Sequence, residues 1–105
     1  MSSRLENKVA IITGAGTGIG RACAIAFARE GAKLVLVGRR KPILESVAHD
    51  CGNIPLLVSA DISEQNDSER VVSETVAQYG RIDVLVNNAG ILHIGTVEQI
   101  TPEQW

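Results

Sequence analysis

The sequence predicts an α/β fold: a parallel sheet with helices on both faces, in the order β-α-β-α-β-α-β. Three observations carry this. Four short apolar runs rich in β-branched residues occupy 9–12, 34–37, 54–58 and 82–86. They read as strands buried on both sides. Between them, apolar residues recur at helical spacing. Ten glycines are clustered early in the chain, several of them where the first strand should pass into the first helix. Buried strands linked through helices form parallel sheets with right-handed crossovers.

The elements follow in order. Val9-Ala10-Ile11-Ile12 is the first strand. From Ile19 the positions Ile19, Ala22, Cys23, Ala26 and Phe27 form one helical stripe; Arg21, Arg29 and Glu30 fall off it, and Gly31 supplies the stop. Leu34-Val35-Leu36-Val37 is the second strand. Pro42 suits the first turn of a helix whose apolar positions are Ile43, Leu44, Val47 and Ala48. The third strand, 54–58, carries Pro55 near its start, where proline is tolerated. Ser63 is placed to cap a helix running to about Tyr79, with Val72, Val76 and Tyr79 inward and Gly80 at its end. The fourth strand is 82–86. Thr101-Pro102-Glu103-Gln104 has the signature of a further helix start, one turn before Trp105. That unfinished helix, and the uncovered apolar edge of the fourth strand, lead to the expectation that residues 1–105 form an incomplete domain with sequence missing after Trp105.

Composition excludes several classes. Ten basic against twelve acidic residues give a net charge of -2, with no basic footprint for nucleic acid or an anionic membrane. Aromatic residues make up 3%, too few for a base-stacking surface. Cys23 and Cys51 form no CxxC pair and read as free thiols of a reducing compartment. Apolar runs of five residues or fewer cannot span a bilayer, so a cytoplasmic protein is expected.

Thr13-Gly14-Ala15-Gly16-Thr17-Gly18-Ile19-Gly20 joins the first strand to the first helix. Glycines let the backbone approach a ligand closely, and the helix start behind them offers free N–H groups to a pyrophosphate. No Gly-Lys-Ser/Thr follows, which excludes a P-loop, and Ile19 breaks the G-x-G-x-x-G form. The second strand ends in Gly38-Arg39-Arg40, where an NAD site would place an acid. Arginine pairs with phosphate, so Arg39 reads as a selector for the NADP 2′-phosphate, or as a solvated start to the next helix. Asp61 closes the third strand and reads either as an acceptor for the adenine amino group or as a turn residue. Asn87-Asn88-Ala89-Gly90 closes the fourth, at the sheet edge where ligands bind in this class. His93 reads as an ordinary loop residue, and His49 lacks the companions a metal site needs. An S-adenosylmethionine methyltransferase would want an acid where Gly38-Arg39 stands.

Taken together, TGAGTGIG, Asp61, and NNAG after Tyr79-Gly80-Arg81-Ile82-Asp83 resemble the short-chain dehydrogenase/reductase family, from about Lys8 to Trp105. The resemblance implies the N-terminal part of a Rossmann-type doubly wound sheet with strand order 3-2-1-4. It implies that Gly14, Thr17, Gly18, Ile19 and Gly20 form the cofactor phosphate turn and that Arg39 favours NADP(H) over NAD(H). Asp61 and Ile62 would contact adenine, Asn87 would brace the sheet, and Ala89 and Gly90 would pass the cofactor ribose. Thr17 departs from the basic residue many NADP-dependent members carry there. The family's Asn, Ser and Tyr-x-x-x-Lys all lie beyond NNAG and are not among these residues, so no catalytic residue is assigned. The expected parent is a homo-oligomeric oxidoreductase moving hydride between NADP(H), or NAD(H), and a carbonyl or alcohol substrate. The alternative is a non-catalytic nucleotide-binding or interaction module.

Overall fold

A computed structural model describes residues 5–16, 18–52, 54–87 and 90–93, with side chains described through Val86. The strands are β1 (Val9–Thr13), β2 (Lys33–Gly38), β3 (Leu56–Ser59), β4 (Val84–Asn87) and β5 (Gly90–His93). The helices are α1 (Gly18–Arg29), α2 (Lys41–Cys51) and α3 (Gln65–Tyr79). The sheet order is β3-β2-β1-β4-β5. Its first four strands are parallel, in the predicted order 3-2-1-4.

Alternation along the strands divides the core in two. Ala10, Ile12, Leu34, Leu36, Val84 and Val86 pack with Ala24 of α1 and with Leu44 and Val47 of α2. Val9, Ile11, Val35, Val37, Val58 and Leu85 pack on the other face with Val71 of α3. Every strand residue named here is 5% exposed or less, which is why these runs carry no polar alternation.

Polar contacts fix the register at both ends of β1. At its start, Asp83 accepts the Val9 N–H at 2.8 Å while its own N–H donates to the Val9 carbonyl at 2.9 Å. Arg81 completes the bracket, donating to Asp83 Oδ1 at 2.6 Å. At its end, the Thr13 hydroxyl donates to the Val86 carbonyl at 3.3 Å.

α1 and α3 stop at the expected glycines, and α2 stops at Gly52, for which no stop was predicted. Gly31, Gly52 and Gly80 all take left-handed φ, and the Ala32 N–H closes the end of α1 on the Phe27 carbonyl at 3.1 Å.

Several expectations are corrected. The inner face of α1 is Gly20, Cys23, Ala24 and Phe27, with Ile19, Ala22 and Ala26 turned outward. Close packing selects the smallest residues, Gly20 and Ala24, for that face. The third strand begins at Leu56, not Ile54; Pro55 cannot donate to the ladder, and Ile54 is exposed. The buried line of α3 is Ser68, Val71 and Thr75, with Val72, Val76 and Tyr79 half-buried beside it. Hydroxyls are tolerated there because Ser68 donates to the Ile62 carbonyl and Thr75 to the Val71 carbonyl. Finally, His93 lies in a strand rather than a loop. β5 pairs antiparallel with β4, Asn87↔Gly90 through Val84↔His93, covering the edge that was expected to be bare. The predicted helix start at Thr101 lies outside the described residues.

Candidate functional site

Among the described residues, Gly14, Gly18, Arg39 and Asp61 follow the C-terminal ends of β1, β2 and β3. The turn after β1 begins at Gly14, whose φ is 62°, and α1 opens at Gly18, whose φ is 56°. Both lie in the left-handed region that favours glycine. The turn is tied to β2 by the Ala15 N–H, which donates to the Val37 carbonyl at 3.2 Å.

Gly20 is required for a different reason. A Cβ built there would stand 2.1 Å from the Gly14 carbonyl oxygen. The first turn of α1 is therefore pressed against the turn that precedes it. The helix-start N–H groups of Gly18, Ile19 and Gly20 have no intrahelical acceptors, and no acid sits in this first turn to offset the positive dipole end. Ile19, in the same turn, is 81% exposed.

A cavity of about 600 Å³ lies beside the turn, lined by Gly14, Gly16, Gly38, Arg39, Arg40, Ile43 and Leu44. Backbone from the glycine turn forms one wall and apolar side chains of α2 another. Arg39 and Arg40, both exposed, bring two positive charges to it. The spacing singled out Arg39; Arg40 was passed over. Its signal was available in the sequence: it precedes Lys41-Pro42, and the residue before a helix-starting segment sits at the helix mouth. Arg40 is the N-cap residue of α2, with extended backbone; a guanidinium only donates, so it makes no side-chain cap bond to the helix-start N–H groups.

Asp61 follows β3. Its Oδ1 accepts both the Ser63 hydroxyl, at 2.6 Å, and the Ser63 N–H, at 3.0 Å. These two bonds, the hydroxyl first, hold its carboxyl below the usual range, and the Arg39 charge adds to the effect. Ser63 is thus a partner of Asp61 rather than the cap of α3. The N-cap residue is Glu64, which makes no side-chain cap bond. Ile62 is half-buried against the α3 side of the sheet. Asn87 ends β4 and Gly90 opens β5, paired with each other. Thr17 and Ala89 lie outside the described residues.

Residues 8–105 match the family model described as short chain dehydrogenase. The chain belongs to the short-chain dehydrogenase family. Among curated members, it is 42% identical over 103 residues to 11-beta-hydroxysteroid dehydrogenase A of Sesamum indicum, covering 94% of this chain and 30% of that one. It is 39% identical over 105 residues to a 3-oxoacyl-(acyl-carrier-protein) reductase of Thermotoga maritima, covering 97% and 43%. Among solved structures, it superposes with a TM-score of 0.77 on a glucose dehydrogenase of Caenorhabditis elegans, at 41% identity, over 81% of this chain and 38% of that one. A 3-ketoacyl-(acyl-carrier-protein) reductase from Brucella melitensis, complexed with NADH, gives 0.73 at 46% identity over 77% and 33%. The chain therefore spans less than half the length of these short-chain dehydrogenases. Among the described residues, no helix is long and apolar enough to cross a membrane, and no group of His, Cys, Asp or Glu could hold a metal ion.

Proposed function

We propose that this chain is the NADP(H)-binding portion of a short-chain dehydrogenase. The longer protein would move hydride between that cofactor and a carbonyl or alcohol. One observation carries the cofactor reading: Arg39 and Arg40 line the same cavity as Gly14 and Gly16. The fit can be argued part by part. The pyrophosphate is met by the N–H groups at the start of α1, between Gly18 and Gly20. Gly18 supports this role, since no described atom lies within 4 Å of the position its Cβ would take. The adenosine ribose lies toward Gly38, and its 2′-phosphate is held by Arg39 with Arg40 beside it. Asp61 accepts from adenine through Oδ2, the oxygen that Ser63 leaves uncommitted. Gly38 stands where an acid would be needed to hold a free 2′-hydroxyl, which favours NADP(H) over NAD(H).

When bound, the dinucleotide supplies or accepts the hydride. The residues described here bind and orient it; the groups that move the substrate proton are expected beyond Gly90, in the part of the family's length that this chain does not span. The two free thiols, Cys23 and Cys51, agree with a cytoplasmic setting.

The reading is tested by fluorescence titration of the chain with NADPH and with NADH. Saturable binding with NADPH preferred, and that preference reduced about tenfold or more in Arg39→Ala, supports it. Equal affinity for both dinucleotides, or a preference for NADH, rejects the assignment of Arg39.

A further inference from the structure

The C-terminal end of β3 is clasped by α3 through contacts that reach the cofactor edge. Arg70 donates from Nη2 to the Ser59 carbonyl at 2.5 Å. The Ser59 hydroxyl in turn donates to the Arg39 carbonyl at 3.2 Å. Next along the chain, the Ala60 N–H donates to the Gly38 carbonyl at 2.9 Å. The Asp61 N–H donates to Asp67 Oδ2 at 2.7 Å. Two side chains of α3, Arg70 and Asp67, therefore hold Ser59, which reaches Arg39, and Asp61, which follows it two residues on.

The charge on Arg70 is already matched. Nη1 donates to Glu74 Oε2 at 3.0 Å, and Asp67 Oδ1 lies 3.6 Å from Nη2. An arginine engaged by two carboxylates and a backbone carbonyl is poorly placed to serve as a second phosphate ligand. It is well placed to fix backbone. The backbone it fixes matters because Arg39 is exposed, between the last residue of β2 and the N-cap of α2. A long, freely rotating side chain finds a phosphate only as reliably as its own Cα is placed.

We propose that Arg70 is a positioning residue for dinucleotide selectivity, acting through Ser59 on the backbone of Arg39. The inference rests on the NADP(H) reading and adds to it a residue that touches neither the cavity nor the ligand. Arg70 and Ser59 are exposed, so their replacement leaves the core intact.

The test compares the wild-type chain with Arg70→Met, Ser59→Ala and Arg70→Lys. Without ligand, amide hydrogen exchange is followed at Ala60, whose N–H donates to the Gly38 carbonyl, and at Asp61, whose N–H donates to Asp67, alongside the urea midpoint. Arg70→Met and Ser59→Ala should exchange about three- to tenfold faster at these amides, as expected for one lost hydrogen bond, with the midpoint nearly unchanged. With ligand, the ratio of NADPH to NADH affinity should fall by a similar factor while NADH affinity holds within about twofold. Arg70→Lys, which keeps a donor for Ser59, should retain most of the ratio. An unchanged ratio overturns the proposal. So does an equal loss for both dinucleotides with a lowered midpoint, because that is the mark of a merely structural contact. If the wild-type chain itself shows no NADPH preference, the cofactor reading fails and selectivity falls with it. The exchange data then separately decide whether Arg70 holds the end of β3 at all.

Discussion

Replacing Gly20 by alanine tests whether the glycine turn and α1 are built as one unit. The new Cβ would sit 2.1 Å from the Gly14 oxygen, 2.8 Å from the Gly14 carbonyl carbon and 3.1 Å from Ala15 Cα. Real Cβ contacts essentially never fall below 3.0 Å, so the helix start must retreat from the turn by about 0.9 Å. The obstacle is backbone and cannot rotate aside as the end of a side chain can. Overpacking of this kind costs about 3 kcal/mol at its upper range. Alanine's better helix propensity returns about 1 kcal/mol. The clash wins by roughly 2 kcal/mol, which lowers the melting temperature of a chain this size by about 8–16 °C. Thermal unfolding followed by far-UV circular dichroism measures the loss. Gly52→Ala is the contrast: its cost comes from a left-handed φ of 75° alone, with no described atom within 4 Å of the added Cβ. It should lose only about 1 kcal/mol. The same 0.9 Å retreat moves the Gly18–Gly20 N–H groups off their target, so NADPH affinity should fall with stability. A Gly20→Ala chain that melts with the wild type, or no lower than Gly52→Ala, would refute the reasoning.

Other expectations concern the frame. Burial pushes the Asp83 carboxyl up, but hydrogen bonds from Arg81 and the Val9 N–H outweigh it and hold the group below its ordinary value. A depressed carboxylate stabilises the fold above its unfolded value of about 3.9, and that contribution is lost as pH falls through the folded value. The urea midpoint should therefore drop below about pH 5, and Asp83→Asn should be about 2 kcal/mol less stable at pH 7 with a flatter acid limb. Leu36→Ala, at a site with 0% exposure in a central strand, should cost about 3 kcal/mol by urea titration. Thr75→Val removes a buried hydroxyl that bonds only within its own helix, and calorimetry should find a change within about 1 kcal/mol.

The sheet was legible because β1, β2 and β4 are apolar on both faces, a pattern that leaves few alternatives to a buried parallel strand. The glycine turn was legible because it stands between a strand and a helix. The face of α2 was read correctly from Leu44 and Val47, whereas those of α1 and α3 were read one position out. Sequence periodicity weights large apolar residues, whereas α1 turns Gly20 and Ala24 inward for closeness and α3 buries Ser68 and Thr75, whose hydroxyls find carbonyls. Ile19 was counted as core for the same reason, but it is exposed on the first turn of α1. β5 was missed because Gly90-Ile91-Leu92-His93 carries almost no local strand signal. Its existence depends on the open edge of β4 beside it. Arg40 was overlooked because spacing rules point to the residue after Gly38, while the cavity is formed by the bend that follows. The clasp of Arg70 on Ser59 spans eleven residues and two elements, and no motif encodes it.

The central claim is that a 2′-phosphorylated dinucleotide binds where β1, β2 and β3 end. The most direct measurement is a backbone amide chemical-shift map of the chain titrated with NADPH. The largest changes should fall on Gly14, Gly16, Gly18, Gly20, Arg39, Arg40 and Asp61, and those at Arg39 and Arg40 should shrink when NADH replaces NADPH. Changes centred on the opposite end of the sheet, around Lys8, Gly31 and Lys33, would contradict the claim, as would a saturating titration that leaves the glycine turn unmoved.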